Sequence, residues 1–344
     1  KKMYKVRTQD SVGKVLIHDV TKIVSDGKVH EKYAVFKKNH VIREEDIEVL
    51  LSIGKEYIYA GDTDSGMVHE NDAALAMGRM CENEHLIHTD VSEGRVDIVA
   101  QEEGLLKVNV EKLYAINTVE NFMISSIHNN SEVKKGQRIA GMKIIPLEIE
   151  EELLEYVLNI QKDTAIFTLI PYVIKKAGLV ITGSEIYHGR REDAFTPVMK
   201  SKLGRYGCEL IGSRVAYDDE DLIASYIEDF INEGAEIVFC TGGMSVDPDD
   251  KTPVAIRKAA TEVVTHGAPV VPGAMQMVAY KGEIPVIGVP GGALFNKVTT
   301  LDIIMPRLMA NDRITRRDIV EMAHGGYCLK CDVCHFPQCG FGKS

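Results

Sequence analysis

Three segments of this chain combine glycine with hydroxyl, acidic or proline residues in a way that suits an anionic ligand. They are Thr182-Gly183-Ser184-Glu185, Thr241-Gly242-Gly243 with the nearby Ser245, and Pro290-Gly291-Gly292. Glycine lets backbone N–H groups approach an anion closely, and a helix N-terminus that follows adds positive dipole. One such turn is a common end to a strand, but three together favour a site for a phosphorylated ligand. Neither a Walker loop nor a G-x-G-x-x-G fingerprint is present, which argues against an ordinary P-loop nucleotidase or Rossmann dehydrogenase.

Two aspartates accompany these turns and are candidate catalytic residues and metal ligands. Asp218 follows a predicted strand, and Asp250 follows the Thr241-Gly242-Gly243 turn. Carboxylates beside a phosphate site commonly hold Mg²⁺, which takes one or two carboxylates together with phosphate oxygens and water. The alternative is structural, because Asp218 is well placed to cap the helix that follows it and Asp250 also precedes a helix.

Four cysteines crowd near the end of the sequence, and their spacing is that of a metal site. They are Cys328, Cys331, Cys334 and Cys339. Zinc takes four thiolates, or three thiolates and a histidine such as the neighbouring His335, in structural sites. An iron–sulfur cluster uses a similar spacing with a last gap one residue shorter. We expect Zn²⁺ rather than an iron–sulfur cluster, because the segment is a short terminal knuckle without a visible electron-transfer partner. A disulfide or a set of unligated thiols is the alternative.

Strand and helix signals that could position the glycine turns alternate regularly after residue 175. The predicted strands are residues 177–182, 208–216, 236–241 and 284–289. Such alternation predicts an α/β domain in which helices cover both faces of a parallel sheet. Because the carboxyl ends of parallel strands share one edge of a sheet, the three turns are expected to lie together there.

The character of the sequence divides the chain into four parts. Residues 1–147 break into short helix-like and strand-like pieces, with a turn at Asp26-Gly27, and predict an α+β module. Residues 148–174 predict a connecting helix and linker. Residues 175–313 form the predicted α/β domain, and residues 314–344 form the cysteine-rich tail.

Composition and charge exclude several classes of function. The chain has 344 residues, with 40 Lys and Arg against 51 Asp and Glu, for a net charge of −11. This balance argues against non-specific binding to nucleic acid, which needs a basic surface. The sequence has neither an apolar run of the roughly 18 residues that a membrane span requires nor the apolar core of a signal peptide. We therefore expect a cytoplasmic protein with no nucleic-acid or membrane partner.

Residues 178–308 resemble the molybdopterin-binding family of molybdenum-cofactor biosynthesis, of the MoaB/MogA/MoeA type. The strand and turn of residues 179–185 are similar to the first phosphate turn of the family. Thr241-Gly242-Gly243 followed by Asp250-Lys251-Thr252-Pro253 matches its T-G-G and D-x-T-P signature. Pro272-Gly273 and Pro290-Gly291-Gly292 are similar to its two later P-G turns. Residues 1–147 are similar to the flanking domains of a short MoeA-like variant.

The resemblance implies a three-layer α/β/α domain that binds molybdopterin or adenylyl-molybdopterin. Members of the family adenylylate the pterin or insert molybdate into the adenylylated pterin with Mg²⁺, so the resemblance implies a molybdopterin molybdotransferase-type transferase. It also implies a homo-oligomer, and a molybdoenzyme or another cofactor-biosynthesis protein is a candidate partner. The alternatives are a non-catalytic carrier or sensor of molybdopterin and a nucleotide-pyrophosphate hydrolase of the competence-damage type.

Several residues depart from the pattern of the molybdate-inserting members. Ser184 stands where that pattern has an acid, although Glu185 follows it, and Val271 and Ala274 stand where it has lysines. Molybdate is a dianion that needs donors or cations, and these substitutions remove positive charge. The departures favour the carrier, whereas Asp218 and Asp250 favour catalysis.

Overall fold

The computed structural model describes residues 4–25, 30–61 and 66–343. Asp26 and Gly27, which are predicted to form a turn, lie outside these ranges. The described chain forms two compact units that alternate along the sequence. The first takes residues up to 101, 109–127 and 136–167, and the second takes residues 102–108, 128–135 and 168–343. The boundaries predicted at residues 147, 174 and 313 stay predictions.

In the described part of its first half, the chain forms short strands and four α-helices. The strands are β1 (Tyr4–Arg7), β2 (Val20–Ser25), β3 (His30–Phe36), β4 (Tyr57–Ala60), β5 (Met67–His69), β6 (Leu86–His88), β7 (Arg95–Ala100), β8 (Gly104–Val108), β9 (Phe122–Ser126), β10 (Ser131–Val133), β11 (Arg138–Ile144), β12 (Glu148–Glu150) and β13 (Phe167–Pro171). The helices are α1 (Glu44–Ser52), α2 (Glu70–Met80), α3 (Val110–Thr118) and α4 (Glu151–Asn159). The predicted connecting segment 148–174 thus contains α4 but also β12 and β13, which are both paired in sheets.

The core of the first unit is a four-stranded antiparallel sheet in the order β6-β7-β11-β9. Helix α2 packs on this sheet through the fully buried Ala73, Ala74 and Met77. A Cβ at Gly78 would lie 2.9 Å from atoms of His88 and Val96, so the glycine allows the helix to approach the strands closely. Strands β10, β8 and β13 form a separate three-stranded sheet.

The second unit is built around a six-stranded sheet in the order β15-β14-β16-β19-β18-β17. Its strands are β14 (Lys176–Thr182), β15 (Glu209–Ala216), β16 (Ile237–Thr241), β17 (Glu262–His266), β18 (Met277–Lys281) and β19 (Ile284–Val289). Its helices are α5 (Ser184–Tyr187), α6 (Phe195–Gly204), α7 (Glu220–Asn232), α8 (Thr252–Ala259), α9 (Thr300–Met309) and α10 (Arg316–Glu321). Helix α10 lies within the predicted cysteine-rich tail.

The four predicted strands are parallel, as expected, but two further strands that the sequence analysis did not predict make the sheet mixed. Strands β15, β14, β16 and β19 are parallel, whereas β18 and β17 run antiparallel to their neighbours. The physical reason is a tight hairpin between β18 and β19, where Gly282 has a φ of +58°. A short connection of this kind can join only antiparallel strands.

Helices cover both faces of the six-stranded sheet, which confirms the predicted three-layer α/β/α fold. Leu179 and Ile181 face a core that includes residues of α6 and α9. Val180, between them, faces the opposite core, which contains residues of α7 and α8. This alternation follows from the two-residue period of a strand. Within the described ranges, no helix combines the length and the apolar character needed to cross a membrane.

Candidate functional site

The carboxyl ends of four parallel strands meet at one edge of the six-stranded sheet, which we call the carboxyl edge. Strands β14, β16 and β19 run directly into Gly183, Gly242 and Pro290, and β15 leads to Asp218. The structure thus brings the three predicted glycine turns and one predicted aspartate to one place. Ligands of open α/β sheets bind at such an edge.

The Thr241-Gly242-Gly243 turn can be formed only with glycine. Gly242 and Gly243 have φ values of +82° and +52°, which side chains rarely adopt. A Cβ at Gly242 would lie 2.1 Å from the carbonyl oxygen of Thr182, which belongs to the neighbouring strand. The turn therefore presses its main chain against the end of β14, and this contact fixes its position.

A buried network of threonine hydroxyls supports this turn. The Thr252 hydroxyl donates to the carbonyl of Gly242 at 2.8 Å, and it lies 2.8 Å from the hydroxyl of Thr182. The Thr182 hydroxyl lies in turn 3.1 Å from the carbonyl of Thr241. The sequence reasoning proposed Thr182 and Thr241 as ligand contacts and missed the bracing role of Thr252, although its place in the D-x-T-P motif was a signal.

The hydroxyl of Thr241 has no hydrogen-bond partner within the described protein. Its Oγ1 atom is fully buried, in contrast to the partnered hydroxyls of Thr182 and Thr252. A buried hydroxyl without a partner costs free energy that a hydrogen bond would restore. This atom is therefore a candidate to meet a polar group of a ligand.

Asp218 binds the first glycine turn and does not cap a helix. Its Oδ2 atom accepts hydrogen bonds from the Ser184 backbone N–H at 3.2 Å and from the Ser184 hydroxyl at 2.7 Å. The capping interpretation of Asp218 is wrong, because the side chain of Asp219 accepts from the Leu222 N–H at 2.8 Å and caps α7. Asp218 is thus available to the carboxyl edge, with one oxygen already used by Ser184.

Asp250 lies on the other side of the same edge. Its backbone N–H donates to the carbonyl of Asp247 at 2.9 Å, which closes a turn just before α8. Its Oδ1 atom would be 3.5 Å from a Cβ placed on Gly243. The carboxylate therefore borders the glycine turn, and neither it nor Asp218 is buried beyond the reach of solvent.

The other predicted contacts are less constrained. The side chains of Glu185 and Ser245 are exposed, and the Glu185 carbonyl accepts the N–H groups of Arg190 and Arg191. Gly291 and Gly292 follow the buried Pro290 in a short 3₁₀ turn. A Cβ on Gly291 would meet nothing within 4 Å.

Two aromatic residues at the carboxyl edge were missed by the sequence reasoning. Tyr217 directly precedes Asp218, and Tyr187 ends α5. Their rings meet edge to face with centroids 5.2 Å apart, and both side chains are more than 40% exposed. Exposed aromatic faces of this kind can stack on a planar heterocycle. The position of Tyr217 just beyond a strand was the one available signal.

The four tail cysteines line a single cavity of about 460 Å³ together with His335. Cys331 and Cys334 are exposed, and Cys328 and Cys339 are partly buried against the core. In the ranges that the structure describes, no three His, Cys, Asp or Glu side chains are close enough to share a metal ion. The structure brings the thiols to one cavity without gathering them around one point.

Comparison with protein families places the carboxyl edge within a known domain. Residues 178–310 match the family described as "Probable molybdopterin binding domain", and residues 5–62 match a domain of unknown function. A molybdopterin molybdenumtransferase from Synechococcus elongatus is 26% identical over 143 residues, which are 39% of this chain and 36% of the relative. A CinA-like protein from Mycobacterium avium is 30% identical over 93 residues, which are 27% of this chain and 21% of the relative.

The chain therefore spans about a third or less of the length of these curated relatives. Among solved structures, the molybdopterin biosynthesis enzyme MoaB from Thermus thermophilus is 19% identical and aligns with a TM-score of 0.35, covering 39% of this chain and 92% of that one. The resemblance drawn from the glycine turns is confirmed for residues 178–310, which match the model of a probable molybdopterin binding domain.

Proposed function

We propose that the carboxyl edge of the six-stranded sheet binds the phosphate of molybdopterin or adenylyl-molybdopterin. The observation that carries the proposal is the Thr241-Gly242-Gly243 turn, whose main chain is held in place by Thr182 and Thr252 and bordered by Asp250. A preformed turn without side chains exposes backbone groups to an anion without reorganisation. The family of residues 178–310 supports a pterin as the ligand.

Three contacts extend the proposal from the phosphate to the rest of the ligand. The unpartnered Thr241 hydroxyl would meet a ligand oxygen. Gly291 leaves open space in which main chain can approach the ligand, whereas a Cβ at Gly292 would contact Asn296 Nδ2 at 3.5 Å. The Tyr187 and Tyr217 pair would stack against a planar ring. The role of Thr241 follows from the burial of its hydroxyl, that of Gly291 from the open space around it, and that of the tyrosines from the exposure of their rings.

The two carboxylates at this edge suit Mg²⁺ better than a metal ion that is held mainly by protein side chains. Asp218 and Asp250 supply one carboxylate each, the first beside Ser184 and the second beside Gly243. Mg²⁺ keeps several waters and takes one or two carboxylates together with phosphate oxygens, so a third acidic ligand is not required. When bound, the ion would neutralise charge that develops on a transferring phosphoryl group.

The residues of this chain would then act by positioning. Asp250 borders the glycine turn and would hold the metal-bearing phosphate against it. The backbone N–H and the hydroxyl of Ser184 both donate to Oδ2 of Asp218, so Oδ1 makes no bond to Ser184. In the proposed reaction, a water oxygen bonds to phosphorus as the P–O–P bond between the adenylyl group and the pterin phosphate breaks, and AMP and the pterin phosphate separate. We infer an enzyme of the molybdopterin molybdotransferase type.

Insertion of molybdate is a more specific proposal than binding of the pterin. Val271 and Ala274 are exposed and carry no charge beside the Pro272-Gly273 turn. A second function, hydrolysis of a nucleotide pyrophosphate without molybdate, is favoured by the similarity to CinA-like proteins. A carrier that binds molybdopterin without turnover is the third. A homo-oligomeric state and a molybdoenzyme partner stay predictions.

One experiment separates these functions. The protein is incubated with adenylyl-molybdopterin and Mg²⁺, with and without molybdate, and AMP is measured over time. Release that depends on molybdate supports the transferase, and release without it supports the hydrolase. Tight binding without release supports the carrier. Absence of both binding and release would contradict the assignment of the carboxyl edge as a pterin site.

A further inference from the structure

The beginning of the cysteine tail is joined to the sheet domain by paired main-chain bonds. The Val271 N–H donates to the carbonyl of Gly326 at 2.8 Å, and the Cys328 N–H donates to the carbonyl of Val271 at 2.9 Å. Gly326 has no room for a side chain, because a Cβ there would lie 2.4 Å from the carbonyl oxygen of Met322. The first cysteine is therefore held at a fixed place beside the Pro272-Gly273 turn.

The end of the tail returns to the same place. The Gly342 N–H donates to the carbonyl of Gly325 at 2.9 Å. Phe341 is 6% exposed and packs in the core, and a Cβ at Gly342 would lie 2.6 Å from Ile303. Residues 325–342 thus form a closed loop with both ends fixed.

Between these ends the chain has neither helix nor strand and carries four thiols. All four thiols line the same cavity of about 460 Å³. Lys330, between Cys328 and Cys331, adopts a φ of +52°, a conformation that side chains rarely take. Because the ends of the loop are fixed, gathering the cysteines around one ion would cost less chain entropy than it would in a free tail.

The charge around the cavity suits a thiolate site. Lys297 and Lys330 line it, and no aspartate or glutamate does so among the described residues. Four thiolates around a divalent cation carry a net charge of −2, and two lysines would offset that charge. An isolated cluster of cysteines with a structural role would not need this surrounding charge.

We propose that Cys328, Cys331, Cys334 and Cys339 bind one Zn²⁺ ion as four thiolates. Each thiol gives up its proton to solvent as its sulfur binds the metal, and no redox step is involved. Because the thiols are not yet gathered in the described structure, the ion would order residues 328–339 as it binds. Zinc fits better than an iron–sulfur cluster, since two of the cysteines are exposed and the last spacing is one residue longer than in the ferredoxin run. The metal would clamp the loop beside Pro272, and this inference holds whether or not the carboxyl edge binds a pterin.

The test is metal content measured on the whole chain, purified under reducing conditions. We expect one zinc per chain, and cobalt substitution should give the visible spectrum of a tetrahedral four-thiolate site. Hydrogen exchange at residues 328–339 should slow on zinc binding, with less change at the fixed ends. No zinc at stoichiometric level, disulfides in the reduced protein, or iron with acid-labile sulfide would overturn the proposal.

Single substitutions make the test specific. Cys331→Ser and Cys334→Ser change exposed side chains and so should leave the fold intact, while weakening zinc binding on the order of 100-fold. His335→Ala should retain one zinc with unchanged affinity, because the histidine lines the cavity but is not a ligand. Cys208→Ala, at a cysteine that does not line the cavity, is the control for loss of a cysteine. Full zinc affinity in both serine variants would contradict the assigned ligands.

Discussion

Two glycine turns at the carboxyl edge use their glycines for different reasons. At Gly242 the backbone has a positive φ, and a side chain would collide with the main chain of Thr182 at 2.1 Å. At Gly291 neither constraint exists, because φ lies outside the left-handed region and a Cβ would meet nothing within 4 Å. The first glycine is required by the fold, whereas the fold does not require the second.

A glycine in a candidate site can therefore be required by the fold or by a ligand. The turn at Gly242 is braced by buried hydroxyls and would hold its shape without a ligand. The turn at Gly291 has unoccupied space around it, and a reason for its glycine must be sought outside the fold. Close approach of a ligand to the main chain is such a reason.

The largest expected effect is that of Gly242→Ala on stability. The added methyl meets a backbone oxygen that cannot move aside, so we expect a loss of about 3 kcal/mol or more in the free energy of unfolding of the second unit. Urea unfolding read by hydrogen exchange in β14 and β16 measures it. Gly234→Ala is the matched control, since Gly234 has a φ of +94° but open space around it. Equal losses in the two variants would show that the close contact with Thr182 contributes nothing.

Asp250→Asn should act on chemistry and not on the fold. We expect Mg²⁺-dependent release of AMP to fall by about 100-fold, because the neutral amide is a poor ligand for a hard cation. The melting temperature should be unchanged. Asp249→Asn, at the exposed neighbouring position, is the control. Full activity of the Asp250 variant would remove this residue from the proposed site.

A pair of threonine variants should separate bracing from binding. Thr252→Val removes hydrogen bonds to Gly242 and Thr182 and should cost about 1–2 kcal/mol of stability. Thr241→Val removes a hydroxyl without a partner in the described protein and should leave stability within about 0.5 kcal/mol, while weakening ligand binding. Urea unfolding and a ligand titration on both proteins measure the two effects. A Thr241→Val protein with unchanged affinity would show that its hydroxyl does not meet the ligand.

The smallest effect on the fold is expected for Gly291→Ala. Stability should stay within about 0.5 kcal/mol of the parent, because the methyl enters open space. Binding of molybdopterin should weaken about 10-fold if main chain approaches the ligand here. Thermal unfolding and calorimetry give the two values. Unchanged affinity would leave the glycine at 291 without a functional explanation.

The sequence predicted the turns well because their signals are local. Strand, glycine and proline stand next to one another in the chain, and the parallel order of β14, β16 and β19 then places their ends together. The same local reasoning misplaced a helix cap by one residue, giving it to Asp218 instead of Asp219. Asp218 and Asp219 are adjacent and fit the capping pattern almost equally well. Which of them caps α7 depends on Ser184, which is distant in sequence and binds Asp218.

Features that depend on contacts between distant segments could not be predicted. The antiparallel strands β17 and β18 were not predicted, because their direction is set by pairing with each other and with β19. The threonine network joins residues 70 positions apart, and the aromatic pair joins Tyr187 to Tyr217. The hydrogen bonds that join Gly326 and Cys328 to Val271 likewise follow from packing and not from any motif.

Calorimetric titration of the protein with adenylyl-molybdopterin in the presence of Mg²⁺ tests the central claim most directly. We predict one ligand per chain, with affinity lowered in Thr241→Val and Gly291→Ala proteins that remain as stable as the parent. Absence of binding, or binding that neither substitution affects, would contradict the assignment of the carboxyl edge as the pterin site.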